Sequence, residues 1–213
     1  MSNFVNNDVT SGSVIQASDH NTQGSLIAAV INGGLDNNNI ASNAGIAGSK
    51  LADSGVDFNK VAAGACVQEV EVLSGAATTG TTLMVQDDTI PQNNEGNQWM
   101  TLSITPKATT HKLVIEAVVV QSHGSASTAH LIALFQDSTA NALNATGMYQ
   151  ATSTGLVTLV LRHEMAAGTT SATTFKIRGG CTNAGTVTFN GVSGSRIFGG
   201  ITLSSIVIRE YKA

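Results

Sequence analysis

The sequence predicts an all-β protein, on three observations. Apolar runs of strand length recur at roughly 8–15-residue intervals from residue 63 onward. Gly, Ser, Thr and Asn clusters divide them, and these are turn residues. Pro91 and Pro106 both fall between runs, at strand edges or turns, where a missing N–H does no harm.

The elements follow in order. Val67–Val72 alternates with a mixed phase, and Thr81–Val85 reads as a strand after a turn centred on Gly80. In the next run Trp99, Thr101 and Ser103 oppose Met100, Leu102 and Ile104. Leu113, Ile115, Ala117 and Val119 share one face of a strand whose other face carries Val114, Val118 and Val120, so it reads as buried on both sides. Leu131–Phe135, Leu156–Leu161, Phe175–Ile177 and Val187–Phe189 follow. The last run, Ile201–Tyr211, slips phase between Leu203 and Ile206, which suggests a bulge. About nine such strands indicate a sandwich or jelly roll over residues 63–213.

Two segments precede that domain. Residues 1–34 are Asn/Ser/Asp-rich with one short apolar run, Leu26–Ile31, that fits a capped helix or a buried strand equally well. No free globular core can be built from them, so they read as a segment that orders against a larger body. In residues 35–62 the apolar positions Leu35, Ile40, Ile46, Leu51, Val56 and Val61 recur about every five residues, which suits neither helix nor strand. An extended stalk winding with sister chains about a threefold axis is one solution. A flexible linker is the other.

Composition narrows the function. Only 11% of the 213 residues are charged, and the net charge is −4, against roughly 25% charged residues in a typical soluble domain. No Arg occurs before Arg162, and the basic residues are scattered. Nucleic-acid binding needs clustered cations, as does anionic membrane binding, so neither partner is expected. No run is long enough to insert in a membrane, and the N-terminus has no basic or apolar signal region. The chain is expected to be made in the cytoplasm. Cys66 and Cys181 are too few for a disulfide framework and read as two small buried residues.

The stretch Asn38–Ala52, NNIASNAGIAGSKLA, resembles stalk segments of tailed-bacteriophage fibre proteins. Asp87–Gly96 (DDTIPQNNEG), Leu102–Lys107 (LSITPK) leading into Lys112–Glu116, and the closing Ile206–Glu210 (IVIRE) are also similar to phage virion proteins. The resemblance implies a short tail fibre, head fibre or collar spike on the virion. It implies a homotrimer with a jelly-roll head shaped like the tumour-necrosis-factor type, docked through its N-terminus. There are no collagen-like triplets and no long heptads, so a short fibre or spike is expected.

Catalytic chemistry finds little support. His20, His111, His123, His130 and His163 have no zinc-ligand spacing and read as loop or strand-end residues. Asp87, Asp88, Glu95 and Glu116 are the candidates for a glycosidase pair, but no aromatic-lined apolar pocket is visible to raise the pKa of an acid. No nucleophile elbow or phosphate loop occurs, and the pairs Gly179-Gly180 and Gly199-Gly200 read as turns. No catalytic residue, metal or cofactor is expected.

Binding is the stronger expectation, because loops gathered at the ends of a sandwich carry recognition. The tip-loop candidates are 121–129, 137–147, 166–173, 179–185 and 191–200. Trp99 and Tyr149 either stack on a sugar or pack in the core or a subunit interface. Two functions fit: a fibre or spike that attaches to a host-surface glycan or protein, and a decoration protein that reinforces the capsid without receptor binding.

Overall fold

A computed structural model describes residues 61–213. The attachment segment and the stalk spacing, apart from Val61 and Ala62, lie outside the described residues.

The described chain is all-β. In order the strands are β1 (Cys66–Ser74), β2 (Thr78–Gly80), β3 (Asn97–Ile104), β4 (Lys112–His123), β5 (Thr128–Gln136), β6 (Asn144–Gln150), β7 (Leu156–Ala166), β8 (Thr173–Cys181), β9 (Val187–Phe189), β10 (Gly191–Val192), β11 (Ser195–Arg196) and β12 (Ser204–Tyr211). Eight long strands carry the architecture. β1-β12-β4-β7 form one antiparallel sheet and β3-β8-β5-β6 the other. This order of visits to two packed sheets is the jelly roll. β7 takes one edge of β4 along almost its whole length. The opposite edge is shared, with β12 on Lys112–Val118 and β9 on Gln121–His123.

The inward rows close the sandwich. Val72, Ile206, Ala117 and Leu161 align across the first sheet. They pack with Ile132, Leu134, Phe175 and Ile177 from the second. A further apolar layer covers the second sheet from outside. Residues 81–96 lie over β5 and β8 and seat Met84 among Leu131, Ala133 and Phe135. The Met84 amide donates to the Cys181 carbonyl at 3.2 Å. Thr81–Val85 is therefore not a strand but a cover. Its backbone can come down on β8 because position 180 is glycine, where a Cβ would lie 2.9 Å from the Thr82 carbonyl.

Other expectations are corrected in the same way. β12 begins only at Ser204, so the phase slip at Leu203 marks the start of a strand and not a bulge. The bulges lie at Val67 and Trp99, where the β1 and β3 registers shift. Gly179 and Gly180 are inside β8 and not in a turn, whereas Gly199 and Gly200 do sit in one, at φ 65° and 90°. Cys181 is buried as expected but Cys66 is exposed. Burial pushes the Cys181 thiol up to about 12, against a hydrogen bond with Thr128 that lowers it, so this thiol stays protonated.

The outer face of the first sheet divides in two. Toward the β12 C-terminus it carries charge. Arg209 pairs with Glu69 and Glu116, and Arg162 with Glu116 and Glu164. Toward the other end it turns apolar. Leu73, Ser205, Val118 and Val160 form one cross-strand row, with Leu73 55% and Val160 62% exposed.

Candidate binding site

The two ends of the sandwich differ in what they hold. At the first end lie the start of β1 and the end of β12. The Gly64 amide donates to the Lys212 carbonyl at 2.8 Å, and the Lys212 amide returns a bond to Ala65 at 2.9 Å. Glu210, fully buried, staples the turn before β4 to this end. One of its oxygens accepts from the Lys107 amide at 2.7 Å and lies 2.7 Å from His111 Nδ1. The 166–173 loop and the start of the 137–147 loop belong here, through bonds from Ala167 to the His111 carbonyl and from Asp137 to that of Thr174.

The remaining three candidate loops meet at the opposite end, though shorter than the sequence suggests. Gln121–His123 extends β4, Thr128 and Ala129 open β5, and β10 and β11 form a small hairpin inside 191–200. What is left is a recess of about 400 Å³ lined by His123, Gly124, Ser125, Gly185, Thr186, Thr188, Ser193 and Gly194. Bonds across the loops fix its shape. Asn183 Nδ2 donates to the Ser127 carbonyl at 3.2 Å, the Ala129 amide to Thr182 Oγ1 at 3.1 Å, and the Gly194 amide to Thr188 Oγ1 at 2.9 Å.

Beneath the recess runs a buried polar chain with one direction. Trp99 Nε1 donates to Gln121 Oε1 at 3.1 Å. Gln121 Nε2 donates to His130 Nδ1 at 3.2 Å, and His130 Nε2 donates to Gln150 Oε1 at 2.7 Å. The Gln150 amide nitrogen then donates to the carbonyls of His123, Ser125 and Thr152. Each amide can orient in only one way that satisfies both neighbours, and that orientation requires neutral His130. Burial, opposed by the Gln150 bond and aided by nearby His123, holds the His130 pKa below its ordinary value. Of the histidines read as loop or strand-end residues, His123 closes β4 and His130 lies near the start of β5; they are buried, 1% and 0% exposed, and meet edge to face at 6.5 Å. Gln121 and Gln150, which give the chain its direction, carry no sequence signal beyond being polar in apolar runs.

Trp99 packs in the core. Its bulge turns it inward beside Met100, where it stacks on Phe189 at 5.3 Å. Gly179 permits this, since a Cβ there would lie 2.2 Å from Trp99 Nε1. Tyr149 is 64% exposed on β6. Three of the four carboxylates have structural partners. Asp87 accepts from the Thr89 amide and hydroxyl, which hold its carboxyl below its ordinary value. Glu95 accepts from the Val85 and Gln92 amides, and Glu116 pairs with arginine as described. Among the described residues no three His, Cys, Asp or Glu side chains converge on a metal-sized site.

No family model matches the chain, and no curated protein does. Solved structures with some likeness include a CBM22 xylan-binding domain from Paenibacillus barcinonensis, at 15% identity and TM-score 0.34 over 72% of this chain and 99% of that one. The infectious bursal disease virus Gx strain gives 5% and 0.33 over 68% and 36%. The enzymatically active domain of tailspike protein 4 of bacteriophage CBA120 gives 13% and 0.26 over 59% and 19%. Likeness at this level carries no argument about function.

Proposed function

We propose that the chain is a virion protein of a tailed bacteriophage, a trimeric fibre or spike that presents its jelly roll to the host surface. It docks on capsid or tail through residues 1–34 and acts without catalysis or cofactor. The phage-like wording at Asn38–Ala52, Asp87–Gly96 and Ile206–Glu210 supports residence on the virion. The apolar row of exposed Leu73 and Val160 with half-buried Val118 supports self-association, since a charge-poor apolar surface gains by being covered.

The observation that carries the attachment reading is the polarity of the head. The chain enters at the end closed by Gly64, Ala65 and Lys212. The loop-lined recess lies at the far end of the 12-residue β4, roughly 35–40 Å away at about 3.3 Å per residue. An entry at one end and a polar, loop-built recess at the other is the arrangement a presented head needs.

Adsorption tests the proposal. Purified chain bound to host cells is expected to block phage adsorption, and particles lacking it are expected to adsorb poorly. If the chain neither binds nor competes, while particles without it become fragile yet adsorb normally, it is a capsid decoration protein.

A further inference from the structure

One group at the recess is not used by the fold. His123 Nδ1 accepts the Ser125 amide proton at 3.0 Å. A backbone N–H can only donate, so the neutral ring carries its own proton on Nε2. That nitrogen is buried and meets no acceptor, although a buried donor left unmet ordinarily finds a partner. It lies directly behind the recess wall at Gly185, where a Cβ would stand 2.6 Å from Nε2 and 2.8 Å from Cε1. Gly185 has φ +144°, a conformation that side chains other than glycine rarely adopt. The wall screening the donor is therefore thin, a glycine without a side chain.

The surroundings select the ligand class. The other lining residues offer the hydroxyls of Ser125, Thr186, Thr188 and Ser193, with Gly124 and Gly194 between them, and none is an acid or a base. An anion would find no fixed cation to pair with, and a chain of net charge −4 gives it no general attraction. An apolar ligand would find no large apolar side chain, only the backbone, methylene and methyl groups of glycines, serines and threonines. The volume of about 400 Å³ falls within the roughly 300–1,000 Å³ of small-ligand sites. What fits is a neutral polyol, able to accept one proton from an imidazole and exchange several bonds with hydroxyls.

We propose that the recess binds a neutral saccharide, one of whose hydroxyl oxygens accepts the His123 Nε2 proton as the Gly185 turn moves outward. This rests on the host-attachment reading and names its ligand class and site. The probes are neutral glucose, galactose and N-acetylglucosamine oligosaccharides, with sialyllactose as the acidic comparison, added to the ¹⁵N-labelled full chain. A neutral sugar is expected to shift the Gly124, Gly185 and Gly194 amides and the His123 Nε2 resonance. His123→Phe, which keeps a ring but loses both the Nε2 donor and the Nδ1 acceptor of the Ser125 amide, is expected to weaken binding at least tenfold. Gly185→Ala, which sets a methyl against the imidazole, should do the same.

The proposal is overturned if no neutral sugar moves those resonances, if only sialyllactose does, or if His123→Phe binds as tightly as the parent. The adsorption assay separates this from the wider reading. If the parent chain and His123→Phe block phage equally, attachment stands and the recess is not its site. If the parent does not bind cells at all, both fall.

Discussion

Protonating His130 leaves its bond to Gln150 but breaks the one from Gln121. Its Nδ1 would then carry a proton facing the Gln121 amide nitrogen, and turning that amide would set its N–H against the Trp99 indole N–H. Burial is the first cause of its lowered pKa, so below the ordinary value of 6.5 the unfolded chain binds a proton that the folded chain refuses. Stability is therefore full above that pH and falls as the pH drops through and below 6.5. His163, also lowered by burial, adds to the same slope. Thermal melts between pH 8 and pH 5 are expected to show a falling midpoint. His130→Gln should flatten most of that fall while lowering stability at pH 8, and an unchanged slope would show that His130 is not the group responsible. Asn190 is the complementary case. Fully buried at φ 53°, it ties β9 to the β1–β2 corner through the Ser74 carbonyl at 2.7 Å, and it accepts from Ser204 Oγ at 2.6 Å. A polar side chain in the left-handed region, bonded on both sides, holds a junction that a hydrophobic residue could not.

Among the elements, the first sheet leaves the clearest unmet surface. Its outer face is charged where Arg209 and Arg162 knit four strands together, and apolar where Leu73, Val118 and Val160 align. If that row is a subunit contact, Val160→Glu buries a carboxylate without a partner, which costs several kcal/mol. The expected result by light scattering is assembly weakened by roughly 100-fold, about 3 kcal/mol, with the monomer fold unchanged by circular dichroism. Assembly equal to the parent would place the contact elsewhere. The same sheet shows why most strands were legible: β7 and β12 bury one face, so alternation marks them, and β4 buries both faces over much of its length, so a continuous apolar run marks it. β6 was not legible, because Asn144–Gln150 is an outer strand, largely exposed, and reads NATGMYQ. Thr81–Val85 misled because Leu83 and Val85 alternate like a strand while Met84 does the burying. The recess loops were legible as Gly- and Ser-rich segments. The polar chain under them was not, since nothing local says that Gln121, His130 and Gln150, far apart in sequence, will share one buried line.

For the whole molecule, two surfaces compete to drive the proposed trimer. One is the apolar row of the head. The other is the near-five-residue spacing of Ile40, Ile46, Leu51 and Val56, which places large apolar residues at regular steps along a chain otherwise made mostly of Ala, Ser, Gly and Asn. A head of this size buries its own core on two sheets and needs no partner to fold, so losing assembly need not unfold it. The parent chain is expected to scatter light as about three times its 21.8 kDa mass, and a clean monomer at micromolar concentration would end the trimer reading. Ile46→Asp separates the two surfaces. If the stalk residues face a shared axis, the substitution sets three like charges against one another in a low-dielectric seam, and assembly should be lost while the thermal transition of the head persists. If the head row alone drives assembly, Ile46→Asp assembles and melts like the parent while Val160→Glu does not. If each variant weakens assembly and the double variant abolishes it, both surfaces contribute, as expected for distant sites whose free energies add.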